Sequence, residues 1–424
     1  MLDIKFIKEN AALIKKDLAK RGDKEKVDWV DEVSKKYGEL WKLKETNDKL
    51  RHKRNVITRE INELQKQGKD IKSKIKEAKE LPGKIADSDK KLAEVEERVD
   101  YILQNLPNVL HSSVPVGKDD TENKEIKKWG KPTKLIDLHS HGRILEDKGL
   151  ADFKRATKIS GAGFYFLKGD LVKLELALIN FAVSELEKKG FTPIEPPLMM
   201  LRKPYEGVVA LKDFGDVMYK IEGEDSYLIA TSEHPIAAMH MSETFEEKEL
   251  PIKYCGISSC FRKEIGSHGV DTRGLFRVHQ FNKVEMFIFS KPKDSWKIHE
   301  ELISIAEGLV KKLKIPHRVV NVCSGDIGII AAKKYDIDAW FPRQNKYGEI
   351  ISCSNCTSYQ AVSLNIKYQK EKKDEKEYVH TLNSTAFAIG RIMVAIVENY
   401  QNKDGSIGVP AVLQKYMGKK VIGK

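Results

Sequence analysis

Apolar positions along the chain change period three times, and each change predicts a different kind of element. Over residues 1–20, Ile4, Ile7, Leu13, Ile14 and Leu18 share one side of a short amphipathic helix that Gly22 would close. A longer helix begins at Val27. In it Leu43, Leu50, Ile57 and Leu64 recur every seven residues, with Leu40, Asn47, Arg54 and Ile61 as a second row in step. Gly68 interrupts the pattern, which restarts with the same spacing as Ile71, Ala78, Ile85, Leu92, Val99 and Leu106. Two such stripes joined by a short turn fold back on each other, so the spacing predicts an antiparallel two-helix arm with polar breaks in its seam. Each helix, of about 40 residues, would be about 60 Å long. Pro82 and Gly83 fall inside the second stripe and are expected to kink it or to start a new helix.

The period is lost over 106–130, where Pro107, Pro115, Gly117 and the run DDTENKE read as a linker. This divides the chain into an arm at 1–106, a linker at 107–130 and a second domain at 131–424. Helical periodicity returns over 171–187, and GFTPIEPPLMM follows as a short strand entering a proline-rich stretch. Near the end TLNSTAFAIGRIMVAIVENYQ changes from strand to helix, with Ile392, Ala395, Ile396 and Asn399 at helical spacing. Between them lies the stretch 260–285, CFRKEIGSHGVDTRGLFRVHQFNKVE. Alternating apolar runs around Phe261 and from Phe276 to Phe289 flank a loop holding Gly266, Gly269 and Gly274, as in a long antiparallel hairpin.

Composition narrows the partners. At 424 residues and 41% hydrophobic, the chain has room for two or three domains and at least one sizeable core. A formal net charge of +12 favours an anionic partner such as nucleic acid, although a basic solvated surface has the same balance. Residues 42–79 carry 13 Lys and Arg against 6 Asp and Glu, whereas 80–106 carry 4 against 7, so the distal half of the arm is the basic half. A solvated spacer would also be charge-rich. No apolar run reaches the roughly 18 residues of a membrane span, and the first residues mix Asp3 and Glu9 with lysines, unlike a signal peptide; the reading is cytoplasmic. Five cysteines at irregular spacing make no disulfide framework. Cys353 and Cys356 form a C-x-x-C without a second ligand pair at zinc spacing, so no zinc is expected and buried thiols beside a substrate strand are the reading.

On a strand, residues two apart share a face, so Arg262 and Glu264 form one row and Arg277, His279 and Phe281 another. A guanidinium fork takes phosphate or carboxylate bidentately, a carboxylate takes an amine or a metal, and a ring offers a stacking plate. The set suits a nucleoside triphosphate; a salt-bridged surface hairpin would hold the same residues.

FRKE followed by GSHGVDTRGLFRVHQFNKVE closely resembles motif 2 of class II aminoacyl-tRNA synthetases, in the form found in seryl-tRNA synthetases. The resemblance runs from MLDIKFIKEN to ENYQNKDGSIGVPAVL. It implies an α+β fold, with an N-terminal antiparallel coiled-coil arm and a catalytic domain built on an antiparallel sheet flanked by helices. The helix at 171–187 with its following strand resembles motif 1, which implies a homodimer. TSEH resembles the family's T-x-E, which implies a site for the substrate ammonium at Thr231 and Glu233, with Ser232 between them in the serine pocket. Arg262, Glu285, Asn383 and Thr385 would complete the serine pocket. ATP would meet Arg262 at its α-phosphate, Lys263, Glu264, Arg277 and Val278 around it, and Phe281 under its adenine. The strand EIISCSNC would hold it through Glu349, Ile350, Ile351 and Ser352, with Mg2+ on the oxygens of Glu349 and Ser352. Ile351 stands where serine is more usual, which affects only its own side chain. Arg391, in what resembles motif 3, would hold the γ-phosphate; an arginine in the first turn of a helix needs an anionic partner. Arg262 and Arg391 are the catalytic candidates.

On the arm, Lys49, Arg51, Lys53, Arg54 and Arg59 would neutralise tRNA phosphates. The tail after motif 3, of about 25 residues, is too short for an ordinary anticodon-binding domain. The implied reaction joins L-serine to ATP as seryl-adenylate and passes the seryl group to tRNA(Ser), with tRNA(Sec) a second acceptor that the family suggests, in the common zinc-free manner. Two alternatives stand beside it. One is a class II ligase with another acceptor, although such relatives lack the long arm; the other is an RNA-binding protein without catalysis, against which the two motif arginines argue.

Overall fold

The computed structural model describes residues 1–132, 139–210, 213–264 and 274–424. The chain forms two compact units, Leu2–Pro107 and Asn108–Lys424.

The first unit is helical: α1 (Ile4–Glu9), α2 (Ala11–Arg21), α3 (Val27–Lys66) and α4 (Lys72–Asn105). The opening stretch, expected as one helix, is two: Asn10 leaves the helical conformation, at φ -123 and ψ 26, and its side-chain amide donates to the Phe6 carbonyl at 3.1 Å. Ile7, Ile14 and Leu18 are buried, whereas Leu13 is exposed. Gly22, at φ 79, closes α2 in a left-handed conformation that a glycine adopts without steric cost.

At 40 and 34 residues, α3 and α4 are about 60 and 51 Å long. Leu40, Asn47 and Ile57 of α3 are buried, as are Leu81, Ile85, Ser88, Val95, Val99 and Ile102 of α4. The expected row through Ile85 and Val99 therefore shares the seam with a second row, Leu81, Ser88, Val95 and Ile102. The polar break at Asn47 is answered across the seam: its Nδ2 donates to Asp89 Oδ1 at 2.7 Å, a pairing that favours one register. No new helix starts at Pro82. The helix continues through Pro82 and Gly83, although the missing N–H and the ring clash cost about 3 kcal/mol. Burial of Leu81 and Ile85 on either side offsets this, at about 1.5–3 kcal/mol each.

The second unit is built on an eight-stranded sheet. Its strands are β1 (Lys124–Trp129), β2 (Thr192–Ile194), β3 (Ile252–Phe261), β4 (Gln280–Ser290), β5 (His317–Asn321), β6 (Lys333–Phe341), β7 (Lys346–Thr357) and β8 (His380–Ala388). They lie in the order β1-β5-β6-β7-β8-β4-β3-β2, antiparallel throughout except for β2 beside β3. Strand β1 comes from the stretch read as linker. It is an edge strand whose Lys124–Lys128 portion is exposed, so it carries no apolar alternation to announce it.

Five helices matter to the site: α5 (Asp170–Glu187), α6 (Glu233–Ala238), α7 (Ser295–Lys312), α8 (Tyr359–Leu364) and α9 (Ile389–Asn399). One sheet face carries the main core, where Leu174 and Leu178 of α5, Leu302 of α7 and Ile392 and Ile396 of α9 meet Val284, Met286, Ile337, Ile351 and Leu382. The alternate residues of the same strands point the other way. At one end of that second face, Phe287 and Phe289 pack with Tyr205, Ile229 and Leu364 in a smaller core. The rest of that face is polar.

Candidate active site

Strands β3 and β4 form the expected hairpin, with Phe261 opposite Gln280. Gly266 and Gly269 lie outside the described residues. The ladder stops short of the expected rows: Arg262, Glu264, Arg277 and His279 stand beyond its ends, so period-two alternation is not what aligns them. Individual bonds do so instead. Arg262 N–H donates to His279 O at 2.9 Å, and His279 Nδ1 lies 2.9 Å from Arg262 O. The Tyr219 hydroxyl oxygen also lies 2.9 Å from His279 Nδ1, so the ring is held between Tyr219 and the Arg262 backbone. Glu264 turns at φ 46, in the left-handed region, which ends the strand's extended course.

The polar face floors a cavity of about 640 Å³. Alternation places Phe281, Lys283 and Glu285 of β4 on this face, together with Asn383 and Thr385 of β8 and Ser352 and Ser354 of β7. The register sets Thr385 opposite Glu285 and Ser354 opposite Asn383.

Two carboxylates share one end of the cavity, and their environments differ. Glu285 is 1% exposed, with Lys283 Nζ 2.6 Å from its Oε2. Lys283 also donates to Thr231 Oγ1 at 3.1 Å, and the Thr385 hydroxyl donates to Glu285. Burial raises the Glu285 pKa, and the Lys283 charge and bond pull it back. Glu233, the first residue of α6, is bonded instead to neutral amides: its Oε1 accepts from Asn383 Nδ2 and Gln360 Nε2, each at 3.1 Å. Burial first, and the Glu285 charge second, push Glu233 up to about 7. A cation that reaches this end would be drawn to Glu233, because Lys283 already answers Glu285.

Two arginines of the cavity each lie over an aromatic ring. The Arg262 guanidinium is 5.3 Å from the Phe281 centroid and donates from Nε to Ala230 O at 3.3 Å. The Arg391 guanidinium is 5.2 Å from the Phe276 centroid and donates to Glu349 O at 3.0 Å, with Glu349 Oε1 at 3.4 Å. Arg391 thus has the anionic partner that its place in the first turn of α9 requires.

The strand holding Glu349 contains a bulge. Ile337 of β6 pairs with Ile351 and Asp338 with Glu349, so Ile350 is one residue too many. Three positions apart on a regular strand, Glu349 and Ser352 would face opposite sides; the extra residue brings both to the cavity. One carboxylate and one hydroxyl on the same face suit a hard cation that takes its remaining ligands from phosphate and water. Among the described residues, no group of three or more His, Cys, Asp or Glu side chains is arranged to hold a metal on its own.

Most of the residues singled out in the sequence meet here: Thr231, Glu233, Arg262, Glu264, Arg277, Val278, Phe281, Glu285, Glu349, Ile350, Ser352, Asn383, Thr385 and Arg391 all line the cavity. Three side chains go elsewhere. Ser232 packs against Gly256, where an added Cβ would lie 2.6 Å from its hydroxyl. Lys263 donates to Gly215 O at 3.0 Å. Ile351 belongs to the main core. Pro235 is the third residue of α6, a first-turn position where its missing N–H breaks no helical bond. Cys353 is in the main core and Cys356 lines the cavity, so the two thiols face opposite sides of β7; burial pushes both up and keeps them protonated. On the arm all five basic residues are exposed, and three pair with carboxylates: Lys49 with Glu45 at 2.6 Å, Arg51 with Asp89 at 3.0 Å and Lys53 with Glu77 at 2.7 Å.

Sequence reasoning passed over Lys283, Gln360 and the pair Lys334–Asp336. Lys283 had a signal, since it falls midway in the row from Phe281 to Glu285. Lys334 and Asp336, 3.3 Å apart on β6, lie in the register of Ser354 and Ser352; burial pushes Asp336 up to about 7 against the pull of Lys334. Gln360 had no signal: it follows β7 on the short helix α8, outside any apolar period.

Comparison with known proteins agrees with this architecture. Residues 1–110 match the seryl-tRNA synthetase N-terminal domain, and residues 218–400 match the tRNA synthetase class II core domain (G, H, P, S and T). The chain is 56% identical to a serine–tRNA ligase of Methanocella arvoryzae over 98% of its own length and 99% of the relative's. The crystal structure of seryl-tRNA synthetase from Pyrococcus horikoshii complexed with ATP superposes with a TM-score of 0.87 at 47% identity, covering 100% of this chain and 99% of that one. The cytoplasmic serine–tRNA ligase of Naegleria fowleri in complex with AMP does so at 0.81 and 37%, covering 100% and 98%. Both halves of the chain and its whole length therefore lead to the family that motif 2 resembles: the chain belongs to the seryl-tRNA synthetases, within class II.

Proposed function

We infer that this protein is an ATP-dependent ligase that joins L-serine to tRNA(Ser). The observation that carries the reading is the uneven pair of carboxylates: Lys283 bonds Glu285, while Glu233 accepts from two neutral amides and lines the cavity. Thr231 and Glu233 would hold that ammonium, and Glu285 and Thr385 the serine hydroxyl, with Asn383 steadying Glu233. The ATP and AMP in the Pyrococcus and Naegleria relatives support a nucleotide in the rest of the cavity.

In the first step a serine carboxylate oxygen attacks the α-phosphorus of ATP. A carboxyl–phosphorus bond forms, the bridge to the β-phosphate breaks, and pyrophosphate leaves. Arg262 would stabilise the charge gathering on the α-phosphate and Arg391 that on the γ-phosphate, with Phe281 under the adenine and Glu264, Arg277, Val278 and Ile350 bordering the nucleotide. Mg2+, held through Glu349 and Ser352, would neutralise polyphosphate charge when bound. In the second step the terminal hydroxyl of the tRNA attacks the seryl carbonyl and AMP leaves. No side chain needs to become covalently attached.

We assign tRNA binding to 1–106, through exposed Lys49, Arg51, Lys53, Arg54 and Arg59, and catalysis to 131–424, with 107–130 supplying the edge strand as well as the connection. We further propose a homodimer: α5 exposes Val172 and Leu176, and the segment after β2 exposes Leu198, Met199 and Leu201, more apolar surface than a solvent-facing element ordinarily carries. A zinc-free site is proposed because Cys353 and Cys356 face opposite sides of β7. Five free buried thiols suit a reducing compartment, and we place the enzyme in the cytoplasm; among the described residues no helix is long and apolar enough to cross a membrane.

The test is amino-acid-dependent ATP–pyrophosphate exchange across the twenty amino acids. Exchange driven by serine, with alanine at least about 1,000-fold weaker, is expected from a site built around a hydroxyl. A preference for alanine or threonine would remove the serine assignment.

A further inference from the structure

We propose that Gln360 and Thr381 act as positioning residues, a two-member relay that fixes the Glu233 carboxylate so that one oxygen faces the substrate amine. The proposal rests on the serine reading above and deepens it.

Thr381 precedes Asn383 and Thr385 in the period-two row of β8, and it is fully buried, as is Gln360 on α8. The Thr381 hydroxyl donates to Gln360 Oε1 at 2.7 Å. Glu233 Oε1 and the Val208 carbonyl only accept, so the Gln360 amide turns its Nε2 toward them and its oxygen toward Thr381, whose hydroxyl donates. With the oxygen committed, Gln360 Nε2 donates to Glu233 Oε1 at 3.1 Å and lies 3.5 Å from the Val208 carbonyl. Asn383 Nδ2 donates to the same Glu233 Oε1 and is backed by Cys356 Sγ at 3.5 Å. One carboxylate oxygen thus takes two neutral donors, which leaves the other for the ammonium.

Without the Thr381 hydroxyl the buried Gln360 oxygen loses its donor, and the amide loses the bond that holds it against Glu233. Without Gln360 one donor to a buried carboxylate disappears, and the carboxylate gains a torsional freedom that substrate binding must remove. Gln360 does not line the cavity, so its influence on substrate runs through Glu233. The charged and titratable groups facing Glu233 are Glu285, Lys283, Arg262, the Tyr205 hydroxyl and the Cys356 thiol, and none of them needs to be altered to test the relay.

Four measurements decide it in the full-length protein, by ATP–pyrophosphate exchange. Gln360→Met, which keeps length and removes both polar groups, should raise the serine KM at least about tenfold, as expected when a hydrogen bond to a charged group is lost, and leave the ATP KM within twofold. Thr381→Val should raise the serine KM about three- to tenfold, and Thr381→Ser, which keeps the hydroxyl, should return it to within twofold of wild type. In Gln360→Met the pH at which the serine KM begins to rise should move upward, because the ionised carboxylate has lost a donor. A merely structural role predicts equal losses for ATP and serine and no shift in that profile. If Gln360→Met does not fold, the Thr381→Val and Thr381→Ser pair decides alone. Serine KM within twofold of wild type in Thr381→Val and in any folded Gln360→Met, or a matching rise in ATP KM, overturns the relay. If wild type itself lacks a preference for serine, the serine reading fails instead, whatever the variants do.

Discussion

On the arm, Lys49, Arg51 and Lys53 each meet a carboxylate at 2.6–3.0 Å with side chains 73%, 54% and 55% exposed; in the cavity, Lys283 meets Glu285 at 2.6 Å with side chains 9% and 1% exposed. The distances barely differ, so geometry does not separate the two sets of pairs. Water does. A screened pair gains little and is easily traded for another anion, which is what a surface that must take up and release a polyphosphate requires. A buried pair cannot be traded: removing either partner strands the other charge in a medium that does not solvate it. The same chemistry thus serves exchangeable recognition on the arm and permanent preorganisation in the pocket, and variants that test one should leave the other untouched.

The largest effect is expected from Lys283→Met. It strands Glu285 and should lower the free energy of unfolding by about 3–5 kcal/mol at pH 8. The loss should shrink toward pH 5, because the stranded carboxyl takes a proton as pH falls and ceases to be a buried charge. Chemical denaturation at the two pH values checks this; a loss that is small, or equal at both, would mean the pair is not the rigid element described.

Next comes a double dissociation. Arg262→Ala or Arg391→Ala should slow serine-dependent exchange at least about 100-fold, as the loss of a contact to developing phosphate charge does. Excising 42–79 and closing the arm with a short turn should leave exchange within about twofold, yet raise the KM for tRNA at least about 100-fold at physiological salt. Normal charging of tRNA by the shortened protein would make the arm a spacer, and near-normal exchange in both arginine variants would withdraw their phosphate roles.

A smaller effect follows from Glu233, pushed up to about 7 chiefly by burial. Below that pH the empty pocket holds the carboxyl protonated, and a neutral carboxyl attracts an ammonium weakly; above it the charge is present. The serine KM should therefore fall as pH rises through 7, by about tenfold between pH 6 and pH 8, while the ATP KM stays nearly flat. A flat serine profile would separate Glu233 from the amine.

The smallest effect belongs to single arm residues. Lys53→Gln should leave the melting temperature unchanged within about 1 °C, since its pair with Glu77 is open to water, and should weaken tRNA binding only a few-fold, less at high salt. A clear loss of stability would place that pair with Lys283 and Glu285 and blur the contrast.

How much of this was legible beforehand depended on whether a residue's position followed from its neighbours in sequence. Seven-residue spacing located the arm, because a coiled-coil seam is a local repeat, and Asn47 could be read as a polar break. The partner that answers it, Asp89, lies 42 residues away across the seam and could not. The resemblance to motif 2 brought most of the cavity residues together by number. It could not show that Arg262, Glu264, Arg277 and His279 stand past the ends of the ladder, where individual hydrogen bonds replace strand alternation.

By itself the sequence determined which elements form and which chemical groups are available: two long helices with a basic distal half, a hairpin carrying arginine, glutamate and phenylalanine, and a strand with oxygen ligands. Periodicity and side-chain chemistry are local properties, so they survive without a structure. Tertiary structure decided what faces what. The extra residue at Ile350 turns Glu349 and Ser352 to the same side, against the parity that their spacing implies. Burial of Leu81 and Ile85 carries a helix through Pro82. The register of β8 against β4 sets Thr385 opposite Glu285, and Gln360 of α8 and Asn383 of β8 reach Glu233 of α6 from more than 100 residues away. These outcomes depend on long-range packing and on where water is excluded, and neither is a property of any short stretch of chain.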